Sequence, residues 1–238
     1  RNQLIDCANH LKNLVLVGDK GTEKTIIAKI IHQQSPLSHL PYVHVNCKIV
    51  SELLFDKMFL GQEGAFSRAG EGVVFLEDID SLPVECRKRL LNELERRVFQ
   101  YEYKPIIKVK APQSICSMVE IPQYAKENSL IGVILSRFGK VQLNVPSLKE
   151  RPDDIVELFN MYLTQTANQH QVPIPSLLPE DVLTLSSYEW PKNQRQLKKI
   201  AEQYVRLNRT KRVSISLLLD VTPNKTIDLS TESSKNLR

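Results

Sequence analysis

Short apolar runs alternate with amphipathic stretches over residues 1–145 of the chain. The runs are four to seven residues long, which is typical of strands buried on both faces of a parallel sheet; they are residues 14–17, 42–47, 73–76, 114–119 and 139–145. Between them, residues 25–32 and 85–99 carry apolar side chains at helical spacing. The pattern predicts an α/β fold in which a parallel sheet is flanked by helices.

The pattern changes after Pro146, where helical segments follow one another without strands between them. Helices are predicted over residues 152–170, 179–187, 193–207 and 214–220. We therefore predict an α/β domain over residues 1–148 and a small all-α domain over residues 149–220. Residues 221–238 are polar and indicate a linker.

Charge and cysteine content narrow the class of protein. The chain carries 32 Lys and Arg against 27 Asp and Glu, and residues 192–212 hold eight of the basic residues with one acid, Glu202. That segment either faces nucleic acid or is a solvated helix face. The four cysteines are scattered without a C-x-x-C pair, which favours a reducing, cytoplasmic environment over a disulfide framework or zinc site. No apolar run reaches the roughly 20 residues of a membrane span, so no membrane partner is expected.

The segment GDKGTEKT, residues 18–25, lies between a predicted strand and a predicted helix. Backbone N–H groups in such a loop, together with the helix dipole, can hold a polyphosphate. We predict that Gly18, Gly21, Lys24 and Thr25 bind nucleotide. The phosphate-loop pattern has glycine where Glu23 stands, and a carboxylate there disfavours an anion. The alternative is a turn that binds nothing.

The segment VVFLED, residues 73–78, has the form of a Walker B strand that ends in two carboxylates. The usual order is Asp and then Glu, where Asp holds magnesium and Glu orients the attacking water. Here Glu77 precedes Asp78. The two are the candidate catalytic residues, and with Thr25 they are the candidate Mg²⁺ ligands. Because the reversed order displaces both carboxylates, we expect no ATP hydrolysis.

The motifs occur in the order found in one known family. From LVLVGDKGTEKT through YVHVNC, GAFSRA, VVFLEDIDSLP, VPSLKERPDDI and YEWPKNQRQL, the chain resembles the AAA+ domain of the NtrC-type bacterial enhancer-binding proteins. The resemblance implies an AAA+ P-loop fold, a helical lid and assembly into a dimer or higher oligomer. It also implies a transcription regulator that works with RNA polymerase and binds DNA through a domain beyond the linker.

The resemblance also identifies a segment that contacts sigma-N (sigma-54). The family motif GAFTGA corresponds to residues 64–69, where Arg68 replaces the second glycine. Phe66, Ser67 and Arg68 are therefore the candidate partner-contacting residues. The segment returns to the Walker B strand over fewer residues than in relatives, so we expect contact with sigma-N to be lost.

Other functional positions of the family are partly kept. The sensor I asparagine falls at Val119, and the first of two inter-subunit arginines falls at Ile131. The second arginine corresponds to Arg137, and the sensor II arginine, which binds nucleotide, corresponds to Arg195. The groups that act in hydrolysis are thus changed, whereas cations that can hold phosphate remain.

Three interpretations follow. The first is a DNA-binding transcription regulator whose AAA+ domain senses a nucleotide, ATP or cyclic di-GMP, and oligomerises without hydrolysis. It resembles divergent family members that regulate biofilm formation and bind cyclic di-GMP on this domain. The second is an active, atypical ATPase that remodels RNA polymerase. The third is a purely structural dimerisation module.

Overall fold

The structure is a computed structural model that describes residues 2–9, 11, 13–103, 112–120, 132–135, 141–209 and 212–220. Within it the chain divides into two compact units, one of residues 1–147 and one that begins at Leu148. The segment 221–238, predicted as a linker, lies outside the described residues. No helix in the described part is long and apolar enough to cross a membrane.

The first unit is built on a five-stranded, all-parallel sheet. Its strands are β1 (Leu14–Val17), β2 (Tyr42–Asn46), β3 (Val73–Glu77), β4 (Gln113–Met118) and β5 (Val141–Asn144), in the spatial order β2-β3-β4-β1-β5. All five lie within a residue or two of the predicted apolar runs. The predicted α/β class is therefore confirmed for this unit.

Helices lie on both faces of this sheet. Alternate strand residues point to opposite faces, and because both sets are apolar, both faces need to be covered. They are α1 (Asn2–Asn9), α2 (Lys24–Gln34), α3 (Phe55–Phe59), α4 (Ala65–Ala69) and α5 (Val84–Tyr103). In β3, Val74 and Leu76 pack in one apolar cluster with residues of α3, α4 and α5. Val73 and Phe75 pack in a second cluster with residues of α1 and α2.

The second unit contains helices joined by loops, and no strand, in its described part. Its helices are α6 (Asp154–His170), α7 (Pro179–Ser187), α8 (Asn193–Leu207) and α9 (Ile215–Asp220). Their apolar faces form one cluster around Phe159, Trp190 and Tyr204. The predicted order of four helices is confirmed; the first begins at Asp154, two residues later than predicted, since a turn precedes it.

A buried carboxylate joins three of these helices. Asp181 in α7 is 2% exposed and accepts hydrogen bonds from the Tyr204 hydroxyl (3.1 Å) and the Ile215 N–H (2.9 Å). Burial, together with Asp181, raises the pKa of Tyr204 to about 12. Since a buried carboxylate is tolerated only when its oxygens are hydrogen-bonded, Asp181 fixes how α7, α8 and α9 meet.

Candidate functional site: a candidate nucleotide site

The candidate site lies at the carboxyl ends of the parallel strands, where α/β sheets bind their ligands. The loop of residues 18–23 connects β1 to α2. Glu77 is the last residue of β3, and Asp78 follows it. The Gly18 N–H donates to the Met118 carbonyl at the end of β4 (3.3 Å). The phosphate loop and the carboxylates predicted from the sequence are therefore brought to one edge of the sheet.

Lys24 is buried, at 7% exposure, in the first turn of α2. Its Nζ donates to the carbonyl oxygens of Gly18 (2.5 Å) and Asp19 (2.9 Å). Burial lowers the pKa of the ammonium below its ordinary value, although Asp78, Asp80 and Asp19 act in the opposite direction. The loop thus holds a cation beside the N-terminus of a helix, the arrangement that suits a phosphate group.

The loop keeps a glycine-like backbone although one glycine of the pattern is replaced. Glu23 adopts φ 60° and ψ 37°, and Gly21 adopts φ 83°. The left-handed conformation costs a residue with a side chain roughly 1–2 kcal/mol. A Cβ on Gly18 would lie 2.5 Å from the Val145 carbonyl oxygen, so that position requires glycine. The surrounding structure therefore imposes the loop shape on Glu23.

The carboxylates at the end of β3 contact protein donors. Thr25 Oγ1 donates to Glu77 Oε1 (2.6 Å), and His44 Nε2 lies 3.0 Å from Glu77 Oε2. Lys48 Nζ forms an ion pair with Asp78 Oδ2. The structure thus places Thr25 beside Glu77, as predicted for neighbouring ligands, but each carboxylate already has its own partner.

These contacts decide whether the predicted magnesium ligands fit the ion. Mg²⁺ demands oxygen ligands in near-ideal octahedral geometry. Here both oxygens of Glu77 contact side chains of the protein, and a lysine ammonium adjoins Asp78. No group of three or more His, Cys, Asp or Glu in the described part of the chain is arranged to hold a metal ion. A Mg²⁺ ion at Thr25, Glu77 and Asp78 would therefore have to displace the Lys48 ion pair or a contact of Glu77, and the role of these residues as ligands stays a prediction.

Three further residues of this site are absent from the sequence-based prediction: His44, Lys48 and Ser117. Ser117, fully buried in β4, accepts a hydrogen bond from the Asp78 N–H (3.0 Å). Asp78 itself adopts φ 53°, a left-handed conformation that this bond helps to fix. The sequence does contain one signal for Lys48. It follows the apolar run of β2 just as Asp78 follows the apolar run of β3, so both residues are expected at the carboxyl edge of the sheet.

The structure describes only some of the positions to which the resemblance assigns roles in hydrolysis or phosphate binding. Val119 comes directly after β4 and offers a hydrocarbon side chain. Ile131 and Arg137 lie outside the described residues. Arg195 is exposed on α8 in the second unit. Their predicted roles stay predictions.

The predicted partner-contacting segment forms the short helix α4. Phe66 is 2% exposed, and its ring centroid lies 6.0 Å from that of Phe59. Ser67 and Arg68 are exposed, and the Ser67 hydroxyl donates to the Gly61 carbonyl (2.6 Å). In this conformation only Ser67 and Arg68 can meet a partner, whereas Phe66 belongs to the core.

The chain returns from α4 to β3 over three residues, Gly70 to Gly72. The Gly72 N–H donates to the Ala69 carbonyl (2.7 Å), and the next N–H, of Val73, donates to the Pro41 carbonyl (2.9 Å). A Cβ on Gly72 would overlap the Pro41 carbonyl oxygen. The return is therefore a tight turn packed against the residue that precedes β2.

The basic segment of the second unit lines a groove of about 480 Å³. Its walls come from α6 and from the α8 segment, and they are Thr166, Gln169, His170, Lys199, Glu202, Gln203, Val205, Arg206 and Arg209. The basic side chains among them are exposed. Both interpretations of this segment, a solvated face and a nucleic-acid contact, agree with that exposure.

Two family models match successive parts of the chain. The model described as "Sigma-54 interaction domain" matches residues 1–102. The model described as "AAA+ ATPase lid domain" matches residues 149–235. The two matches stand in the order of the two units of the structure.

The curated relatives include a regulatory protein and a DNA-binding transcriptional activator of Escherichia coli. The regulatory protein AtoC of Escherichia coli is 28% identical over 209 residues, which are 82% of this chain and 45% of AtoC. The E. coli transcriptional activator HyfR is 28% identical over 246 residues, 98% of this chain and 36% of HyfR. The chain thus spans less than half the length of either relative.

Solved structures show the same fold. NtrX from Brucella abortus superposes with a TM-score of 0.78 at 22% identity, covering 96% of this chain and 55% of NtrX. NtrX has also been solved in complex with ADP and in complex with ATP. At this identity the likeness shows the fold alone, and it confirms the predicted AAA+ P-loop fold with its lid. Residues 1–102 are accordingly similar to a sigma-54 interaction domain, and residues 149–235 are similar to an AAA+ ATPase lid.

Proposed function

We propose that this chain is the nucleotide-sensing and oligomerisation module of a bacterial DNA-binding transcription regulator, and that it does not hydrolyse ATP. The observation that carries the proposal is the position of Lys24, buried in the phosphate loop beside carboxylates that are already paired. The ammonium provides a site for a phosphate group. The paired carboxylates provide no free base for the attacking water.

The ligand class follows from the same loop. The loop of residues 18–23 leads into the N-terminus of α2, and Lys24 adds a positive charge there. A phosphate-rich nucleotide fits these groups, and the two candidates are ATP and cyclic di-GMP. ATP is supported by the ADP and ATP complexes of NtrX. Cyclic di-GMP is supported by the resemblance to divergent family members.

The proposed partners are those that the matching family models imply. We propose that DNA binds to a domain outside residues 1–238, that RNA polymerase is the target, and that the chain assembles into a dimer or higher oligomer. Arg68 replaces a glycine of the sigma-54-contacting motif, and Phe66 is buried. Both features support loss of the sigma-54 contact.

Nucleotide binding and assembly are tested together by calorimetric titration of the chain with ATP and with cyclic di-GMP, followed by sedimentation of each mixture. We expect one nucleotide to bind at low salt and to increase the sedimentation coefficient. If neither nucleotide binds, the proposed sensing function is wrong. If one binds without a change in sedimentation, only the assembly function is wrong.

We expect ATP turnover to equal the background of a protein-free reaction. Lys48 holds Asp78, whose side chain is 13% exposed, so this carboxylate cannot orient a water molecule. Val119 offers no amide to polarise that water. A steady-state assay of phosphate release measures the rate.

The same assay tests the alternative of an active ATPase, which the contact between Thr25 and Glu77 favours. Turnover near roughly 1 per second that Lys24→Ala abolishes would establish the ATPase and contradict the proposal. Turnover that persists in Lys24→Ala would instead indicate a contaminating enzyme.

A further inference from the structure

A lysine ammonium lies at the Walker B carboxylates. Lys48 belongs to the short turn Cys47–Ile49 that follows β2, and its N–H donates to Asn46 Oδ1 (3.0 Å). This bond fixes the backbone of Lys48 at the end of the strand. Its Nζ pairs with Asp78 Oδ2, and 48% of its side chain remains exposed against 13% for Asp78. Lys48 therefore neutralises the carboxylate while it stays accessible to a ligand.

The second carboxylate is engaged from two sides. Asn46 pairs with Glu77 in the register of β2 and β3, so His44 lies on the same face of the sheet, two residues earlier along β2. His44 Nε2 approaches one oxygen of Glu77 and Thr25 Oγ1 donates to the other. A metal ion at Glu77 would have to displace at least one of these contacts.

The Lys48 charge also acts on the phosphate loop. Burial is the main reason that the pKa of Lys24 is lowered, and repulsion by Lys48 acts in the same direction. Lys24 follows β1 and Lys48 follows β2, so both ammonium groups lie at the carboxyl edge of the same parallel sheet, where a polyphosphate would bind. A divalent cation would add two further positive charges there, whereas a nucleotide phosphate would add negative charge.

We propose that the Lys48 ammonium takes the place of the divalent cation, so that this chain binds its nucleotide without Mg²⁺. The inference rests on the proposed binding of a nucleotide at Lys24. Lys48 acts as a binding residue for phosphate and as the counter-ion of Asp78. It makes nucleotide occupancy independent of the magnesium concentration, which suits a sensor that does not need a metal to assist hydrolysis.

The test measures the Kd of ATP and of ADP by calorimetry, once in excess EDTA and once in excess Mg²⁺. We expect the unaltered chain to give the same Kd, within about threefold, in both buffers. Lys48→Met removes the charge and keeps most of the side-chain length. It should weaken binding in EDTA by about tenfold or more, the effect of losing one charged hydrogen bond, and Mg²⁺ should restore part of the affinity.

Two further variants separate charge from structure. Lys88→Met removes a lysine from an exposed ion pair with Glu85 (3.1 Å) on α5 and should bind as the unaltered chain does. Lys48→Arg keeps the charge and should keep binding in EDTA. Far-UV circular dichroism of each variant verifies that it is folded. If Lys48→Met does not fold, the Kd values of the unaltered chain and of Lys48→Arg in the two buffers still decide whether binding needs Mg²⁺.

Each outcome has one meaning. Binding to the unaltered chain that is more than about tenfold tighter in Mg²⁺ than in EDTA overturns this inference and leaves the proposed function standing. Equal binding in EDTA by Lys48→Met and the unaltered chain also overturns it. If ATP and ADP bind in neither buffer, the inference is wrong, and titration with cyclic di-GMP in the same buffers decides whether the proposed sensing function survives.

Discussion

Phe66→Ala should lower the free energy of unfolding of the first unit by about 3–4 kcal/mol. The ring is 2% exposed and packs with Phe59, Ala65 and Ala69 in the cluster that covers one face of the sheet. Removing it leaves a cavity that α4 cannot fill, because α4 is anchored by the tight turn at Gly72. The expected loss is a large part of the stability of a typical domain.

Urea denaturation followed by far-UV circular dichroism measures this loss. The signal reports on both units, whereas the single tryptophan, Trp190, belongs to the second unit. The matched control is Arg68→Ala, which alters an exposed side chain two residues away and should stay within about 0.5 kcal/mol of the unaltered chain. Equal stability of both variants would show that Phe66 is not a core residue.

This prediction bears on how contact with sigma-54 can be tested. A loss of promoter activation in Phe66→Ala would follow from unfolding alone, and so it would not identify a contact. Ser67 and Arg68 are exposed on the same helix, and Arg68→Ala leaves the core intact. Only such exposed positions separate a contact from a fold requirement.

The strands were predictable because each is a buried run of a parallel sheet. A strand covered on both faces must be apolar throughout, as Val73 to Leu76 are in β3, and such runs stand out between polar loops. The helices of the second unit were predictable for a related reason. Pro179 and the acids that follow it mark a helix start, and α8 carries one apolar and one basic face.

The contacts of the carboxylates were not predictable, because they join residues that are distant in sequence. Lys48 and Asp78 are 30 positions apart, and His44 and Glu77 are 33 positions apart. They meet only because β2 pairs with β3 in a register that places Asn46 beside Glu77. An apolar pattern predicts that strands exist, but it does not determine which strands are neighbours.

The burial of Phe66 could be predicted from the local sequence, although its contact with a partner stays a prediction. The resemblance points to a contact motif, whereas the local sequence contains its own signal of burial. Ala65 and Phe66 precede Ala69 by four and three residues, the spacings that place apolar side chains on one face of a helix. Local periodicity described this segment better than its similarity to the motif.

Lys24→Met should weaken nucleotide binding by about 2–3 kcal/mol, or about 30- to 140-fold in Kd. The Lys24 ammonium is buried at the start of α2 and is held by the carbonyl oxygens of Gly18 and Asp19, so a phosphate in the loop meets a charge that is already oriented. Burial lowers the pKa of Lys24, which means that folding disfavours its charged form, and removing the charge should not destabilise the unit.

Calorimetric titration with ATP measures the change in Kd, and urea denaturation verifies that stability stays within about 1 kcal/mol. The matched control is Lys29→Met, which removes an exposed lysine from the same helix and should leave the Kd unchanged. Unaltered binding by Lys24→Met, or equal weakening by both variants, would show that the phosphate group lies elsewhere.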